Sequence, residues 1–318
     1  MTAVDALPSL SQVRDAAARI AAHAVVTPVW RSATLDALAG AELHFKCENL
    51  QRGGAFKFRG ACNAVWSLDQ AMAARGVVTH SSGNHGNALA MAAATRGIPA
   101  HVVVPEGAVQ AKLDAIVRAG GIVHRCAPTQ AAREAMAAQV QAQTGGVLVH
   151  PYADTQVMAG QGTAVLELLR QAPALDAVIT PVGGGGLAAG TAVAAHGLDP
   201  ALALFGAEPQ GADDAARSLA QGQRIDSMAP DTLCDGLRAL VGPSNLDALR
   251  THRVEVITVS DAETIAAMRL LWQELKQVVE VSSATVLAAV LKRRDAFAGR
   301  RVGLVLTGGN VDLDALPW

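Results

Sequence analysis

The chain has 318 residues, 51% hydrophobic and only 17% charged, a balance that supplies an ample core and excludes an intrinsically disordered chain. Aromatic residues make up 3%, so Ala, Val and Leu must fill most of the interior. A formal charge of −2 gives no electrostatic reason to expect nucleic acid or an anionic membrane as a partner.

Met1 to Leu10 lacks the basic stretch and apolar run of a secretion signal, and no apolar run reaches membrane-spanning length. The four cysteines, Cys47, Cys62, Cys126 and Cys234, are far apart and form no CxxC pair. They read as small buried hydrophobes in a cytoplasmic protein, without structural zinc or a disulfide framework.

In chain order, Glu42 to Lys46 reads as a strand followed by a loop. From Gly76 onward, short β-branched runs alternate with Ala-rich helical stretches. The pattern predicts strands at Val77–His80, His101–Val104, Ile122–Arg125 and Val147–His150. Between them lie helices at Asn87–Thr95, about Val109–Arg118 and Ala131–Gln143. Further strands are predicted at Ala177–Thr180, Leu202–Ala207 and Val302–Leu306, with helices Ala262–Lys276 and Ser283–Arg293 before the last. Such alternation implies crossover connections and a parallel sheet covered on both faces. Residues 1–50 are expected to join 151–318 in a large domain, with 51–150 forming a smaller one. No fixed-period repeat appears.

Four loops carry more than architecture requires. In Gly53-Gly54-Ala55-Phe56-Lys57-Phe58-Arg59-Gly60, two phenylalanines flank a lysine. An apolar setting lowers an amine's pKa, and a neutral amine is what an aldehyde needs to form an imine. In Thr79 to Asn87, small residues between a strand and a helix let successive N–H groups point at a carboxylate. Asn84 there can hydrogen-bond an oxygen on a ring. Pro181-Val182-Gly183-Gly184-Gly185-Gly186-Leu187 lets the backbone wrap a phosphate without side-chain obstruction. Leu306-Thr307-Gly308-Gly309-Asn310 puts a hydroxyl at the end of the last strand, where open α/β sheets bind ligands. Taken singly, each loop also fits a plainer account: a surface lysine, an N-cap turn, a flexible turn, a turn after a strand.

Taken in order, these loops resemble the fold-type II pyridoxal-phosphate enzymes, in particular the serine racemase and threonine/serine dehydratase family. The likeness runs from a helix at Gln12–Ala22 through Thr27-Pro28 to Asn310-Val311-Asp312. It rests on Lys46-Cys47-Glu48-Asn49-Leu50-Gln51, Phe56-Lys57-Phe58-Arg59-Gly60, Ser81-Ser82-Gly83-Asn84-His85-Gly86 and Gly160-Gln161-Gly162-Thr163. The resemblance implies an α/β fold of two open, twisted, mostly parallel sheets flanked by helices. It also implies a homodimer that takes a small-molecule amino-acid substrate.

By the same resemblance Lys57 would carry pyridoxal 5'-phosphate as a Schiff base and remove the α-proton. Phe56 would pack on the ring, Asn84 would meet its hydroxyl and Thr307 its nitrogen. Gly183, Gly184, Gly185, Gly186 and the Leu187 N–H would hold the phosphate. Ser81, Ser82, Gly83, Asn84 and His85 would cradle the substrate carboxylate, with Ser82 facing the lysine across the cofactor. Glu208, the Ala212 carbonyl and Asp214 would form an all-oxygen site for a divalent cation, Mg²⁺ or Ca²⁺.

The chain departs from this pattern at Gly53, Ala55, Tyr152, Ala239 and Val281. Loss of pocket hydroxyls, Ala239 above all, leaves serine in doubt and admits threonine or an aryl-serine. The expected activity is an ammonia-lyase (dehydratase) acting on a 3-hydroxy-L-amino acid. An amino-acid racemase is the alternative, because Ser82 is present. A binding protein without turnover is opposed by the intact Lys57 and Ser82, and a nicotinamide dehydrogenase explains neither Lys57 nor Thr307.

Overall fold

A computed structural model describes residues 6–108 and 110–318. Among them are strands β1 (Val29–Trp30), β2 (Glu42–Cys47), β3 (Val77–His80), β4 (Ala100–Pro105) and β5 (Gly121–Cys126). They are followed by β6 (Val147–Leu148), β7 (Ala177–Pro181), β8 (Ala203–Pro209), β9 (Glu255–Val259) and β10 (Arg301–Leu306). Two sheets result, ordered β5-β4-β3-β6 and β1-β2-β10-β7-β8-β9. Every pairing is parallel except the antiparallel contact of β1 with β2. The chain is therefore α/β, with two mostly parallel sheets and flanking helices.

The burial of the central strands explains their composition. All four residues of β3 and all five of β7 are buried, so neither shows the polar alternation of a half-exposed strand. Leu43, Phe45, Ile179 and Leu304 pack one face of the six-stranded sheet against helices Asp261–Glu274 and Val281–Lys292. Val178, Leu168 and Val193 belong to the core on the other face, with helices Thr155–Gln171 and Gly186–Leu198. Phe58, Val65, Leu89 and Val77 form a further core that joins the four-stranded sheet to helix Lys57–Ser67.

Glycines bring three helices into close contact. A Cβ on Gly160 would lie 2.6 Å from the Gly60 Cα, and one on Gly162 would lie 2.6 Å from the Gly190 carbonyl oxygen. Helix Thr155–Gln171 thus touches both Lys57–Ser67 and Gly186–Leu198 through backbone, and larger residues would push them apart.

The observed elements differ from expectation mainly at their ends. The first helix is Leu10–Ile20 rather than Gln12–Ala22, because Ser9 and Gln12 form a reciprocal capping box that sets its start. The helix expected at Asn87 begins at Asn84, so the small-residue turn supplies its first turn. The expected strand Val147–His150 ends at Leu148. The helix expected from Val109 is seen as Gln110–Arg118, and Val109 itself lies outside the described residues. Residues 1–5 of the terminal segment screened for a signal lie outside them too. Strands β1 and β9 were not foreseen: one has two residues, and the other is a half-exposed edge carrying Glu255. Among the described residues, no helix is long and apolar enough to cross a membrane.

Candidate active site

Backbone contacts zip the Lys57 loop to the loop after β10. The Phe56 N–H donates to the Thr307 carbonyl at 2.9 Å, and Gly309 N–H donates to the Gly54 carbonyl at 2.9 Å. Gly53 and Gly54 allow the required turn, with φ of +69° and +72°. Lys57 then becomes the first residue of helix Lys57–Ser67, its Nζ 5.1 Å from the Phe56 ring centre. That Nζ donates to the Pro151 carbonyl at 3.1 Å. Burial lowers its pKa to about 8, against the opposing pull of Glu280. The lysine expected to be a poised neutral amine is desolvated, and a neutral acceptor rather than a carboxylate holds it.

Ser81 to Asn84 connect β3 to helix Asn84–Arg96. The Ser81 N–H donates to the Val103 carbonyl at 3.1 Å, and a Cβ on Gly86 would lie 2.4 Å from the Ser81 carbonyl oxygen. The turn is therefore seated hard against the helix it opens. Ser81, Ser82, Gly83 and Asn84 are only partly buried, whereas His85 is buried. The first N–H groups of this helix have no intrahelical acceptor and suit a carboxylate.

Asn84 has partners that sequence alone did not supply. Its Nδ2 donates to the two Glu280 carboxylate oxygens at 3.0 and 3.1 Å, and its Oδ1 accepts from Asn310 Nδ2 at 2.9 Å. Glu280 is buried at the start of helix Val281–Lys292, and burial together with Asp235 raises its pKa to about 7. The only hint in sequence was a lone carboxylate in the apolar run Val278-Val279-Glu280-Val281.

Gly183 to Gly186 lie between β7 and helix Gly186–Leu198, and Leu187 sits in its first turn. Gly185 has a φ of +86°, and a Cβ on Gly184 would lie 2.4 Å from the Tyr152 ring. Asn245 Nδ2 braces the loop by donating to the Gly184 carbonyl at 2.6 Å and the Tyr152 carbonyl at 2.9 Å. Tyr152, noted in the sequence only as a departure, is thus a wall of the glycine loop.

The Tyr152 ring stands edge-on to His150 at 4.6 Å, and His150 edge-on to His80 at 5.2 Å. The His150 Nδ1 accepts from the Ala153 N–H at 3.0 Å, and burial lowers its pKa to about 4. Burial also lowers the pKa of His80, and that of His85 strongly. These imidazoles are neutral at pH 7 and leave Lys57 without a competing cation of their own. Arg133 was missed by sequence reasoning. It lies on helix Gln130–Thr144, close enough for its charge to lower the pKa of His80 and to oppose the upward shift of Tyr152. Its Nε is buried without a hydrogen-bond partner.

The acidic turn lies after β8. Glu208 accepts from the Ala215 and Ala216 N–H groups at 3.0 and 2.9 Å, and Asp214 Oδ2 accepts from Val241 N–H at 2.7 Å. Burial, with Asp214 and Asp213 adding to it, raises the Glu208 pKa to about 8. Asp214 Oδ1 is buried without a partner, and Ala212 is fully buried. Two carboxylates with an unsatisfied oxygen fit a hard cation. Among the described residues, however, no group of three or more His, Cys, Asp or Glu is arranged around one point.

The residues present fit pyridoxal phosphate. Lys57 offers a desolvated amine, the glycine loop offers a side-chain-free approach at a helix N-terminus, and Thr307 closes the strand end beside Phe56. Comparison with known proteins agrees. Residues 20–308 match the family described as pyridoxal-phosphate dependent enzymes. The chain is 50% identical to a β-hydroxyaspartate dehydratase of Paracoccus denitrificans, over 98% of this chain and 99% of that one. It is 47% identical to a serine racemase of Dictyostelium discoideum, over 97% of this chain and 96% of the relative. The solved structure of maize serine racemase superposes with a TM-score of 0.94 at 42% identity, covering 96% of this chain and 95% of that one.

Proposed function

Because the chain belongs to the pyridoxal-phosphate dependent enzymes, we propose that it is an ammonia-lyase converting a 3-hydroxy-L-amino acid to a 2-oxo acid and ammonia. When bound, the cofactor supplies an aldehyde and an electron-withdrawing ring that acidifies the α-hydrogen of an amino acid. Lys57 would hold the cofactor and take that α-proton, as its lowered pKa of about 8 suits. The Ser81–His85 turn would hold the α-carboxylate on its N–H groups. Thr307 would support elimination: a neutral hydroxyl meeting the ring nitrogen would leave the ring a weaker electron sink than a carboxylate would, which favours departure of a 3-hydroxyl.

One observation carries the choice of substrate. The partly buried Arg133 has an Nε without a hydrogen-bond partner and carries its charge near enough to act on His80 and Tyr152, which fits a substrate side chain bearing a second carboxylate. The 50% identical relative is named for β-hydroxyaspartate. Serine, threonine, an aryl-serine and 3-hydroxyaspartate, compared for 2-oxo acid and ammonia formation, test this reading. We expect 3-hydroxyaspartate to lead, and Arg133→Met to lower its kcat/KM by about 10- to 100-fold, the size of a charged hydrogen bond. A variant equally active on 3-hydroxyaspartate overturns the dicarboxylate assignment.

Racemisation is the second reading, favoured by Ser82 and by the name of the 47% identical relative. Under either reading Glu208, Asp214 and the Ala212 carbonyl would hold Mg²⁺ or Ca²⁺, on the support of the unpartnered Asp214 oxygen. Residues 51–150 would form a small domain beside the large one made of 1–50 and 151–318.

A further inference from the structure

Lys46–Gln51, the Arg59 end of the Lys57 loop and Gly160–Thr163 take no part in the site described above. They meet behind Lys57. Arg59 is fully buried and spends its whole guanidinium there. Nε and Nη2 each donate to Glu48 at 2.7 Å, and Nη1 and Nη2 donate to Glu167 at 2.8 and 2.7 Å. Nη1 also reaches Thr163 Oγ1 at 3.2 Å, and Nη2 reaches the Val25 carbonyl at 3.3 Å. Lys46, fully buried as well, donates to Glu167 at 2.6 Å, to the Thr27 carbonyl at 2.7 Å and to Gln171 at 2.8 Å. Two cations thus face two carboxylates, and Thr27 Oγ1 donates to Glu48 at 2.5 Å.

Such a cluster is a poor source of stability, since desolvating four charges offsets most of their attraction and apolar residues could fill the space. Its geometry suits another role. Residues two apart on a helix point about 200° apart, so Lys57 faces the cleft while Arg59 faces the clamp. Gly60, the next residue, is seated on helix Thr155–Gln171: a Cβ there would lie 2.5 Å from Gln161 Nε2 and 2.7 Å from the Val157 carbonyl oxygen. The chain leading into that same helix supplies Pro151, whose carbonyl accepts from Lys57 Nζ.

We propose that Arg59, clamped between Glu48 and Glu167, is a positioning residue that fixes the rotation and depth of the first helical turn and so the place of the Lys57 amine. Arg59→Lys tests the clamp, because an ammonium keeps the charge but lacks the planar fork that pairs two N–H groups with each carboxylate. The cofactor-free protein is mixed with pyridoxal phosphate across a pH series, and growth of the visible absorption band is followed. With the clamp as positioner, capture by the folded variant slows at least tenfold and its pH midpoint rises, because a displaced amine is better solvated. With substrate, kcat falls at least tenfold while KM stays within about twofold. A merely structural Arg59 lowers the melting temperature and leaves the capture rate, its pH midpoint and kcat of the folded fraction unchanged. That result overturns the proposal. Should Arg59→Lys fail to fold, Thr163→Val removes one Nη1 contact and keeps every charge. Capture slowed two- to fivefold in that variant supports the proposal, and unchanged capture overturns it. Capture needs no substrate, so its outcome is separate from the dehydratase assignment.

Discussion

Lys57 Nζ and the carbonyl oxygen of Pro151 are 3.1 Å apart, so the amine proposed to take the aldehyde rests on a neutral acceptor in a desolvated site. A carboxylate in that place would hold the ammonium and raise its pKa. With a pKa of about 8 against an ordinary 10.5, the amine is largely protonated at pH 7 and largely neutral at pH 9. Capture of pyridoxal phosphate by cofactor-free protein should therefore accelerate about tenfold per pH unit below 8 and level off above it. Stability follows the same sign. Between about 8 and 10.5 the unfolded chain binds the proton that folded Lys57 has lost, so this residue makes folding more favourable as pH rises through that window. Lys57→Ala should abolish both capture and elimination. Borohydride reduction that labels another lysine would refute the assignment.

Gly184 and Tyr152 should behave as one unit. The 2.4 Å approach of a Gly184 Cβ to the Tyr152 ring means that Gly184→Ala must displace either the ring or the loop. Cofactor affinity, read by titration of the visible band, should fall at least tenfold in Gly184→Ala. Adding Tyr152→Ala should restore part of it, because the obstruction is gone. Simple additivity of the two effects would show that the ring does not shape the loop.

Cation binding at Glu208 should compete with protons. Without a cation, the raised pKa of about 8 means that folded Glu208 keeps a proton the unfolded chain loses near 4.5, so its contribution to stability declines as pH rises from about 4.5 through 8. Mg²⁺ or Ca²⁺ should reverse this decline, raising the melting temperature more at pH 8.5 than at pH 6.5. Glu208→Gln should erase the response. Melting curves insensitive to cation and chelator at both pH values would leave the turn without a metal.

Ser82 distinguishes the two reactions. On the proposed reading, with Ser82 facing Lys57 across the cofactor, elimination would need a proton taken on the Lys57 face only, whereas racemisation would also need one delivered from the Ser82 face. Ser82→Ala should abolish D-isomer formation and keep most L-elimination, with a loss on the order of 1 kcal/mol for one hydrogen bond. If D-isomer formation in the unaltered protein outruns ammonia release on every 3-hydroxy amino acid tried, the racemase reading takes its place.

The amino-acid sequence by itself determined the order of the central strands and helices and the loops between them. Buried strands and small-residue turns are written in local composition: β3, β7 and β10 appear as short apolar runs ahead of the loops that carry Asn84, the tetraglycine and Thr307, in that order. Lys57 was legible only because Phe56-Lys57-Phe58-Arg59-Gly60 stands in order with the other loops; two flanking phenylalanines alone also suit a surface lysine. Only the tertiary structure decided what surrounds these groups. Pro151 lies 94 residues from Lys57, Glu280 lies 196 from Asn84, and Glu167 lies 108 from Arg59. Tyr152, which follows β6, meets Gly184, which follows β7, only once the two sheets are brought together, and Arg133 acts on His80 only once helix Gln130–Thr144 packs on β3. A residue's backbone preference is set by its immediate neighbours. Its charge state, and the partner that holds it, depend on which distant segments exclude water from it, and no local pattern records that.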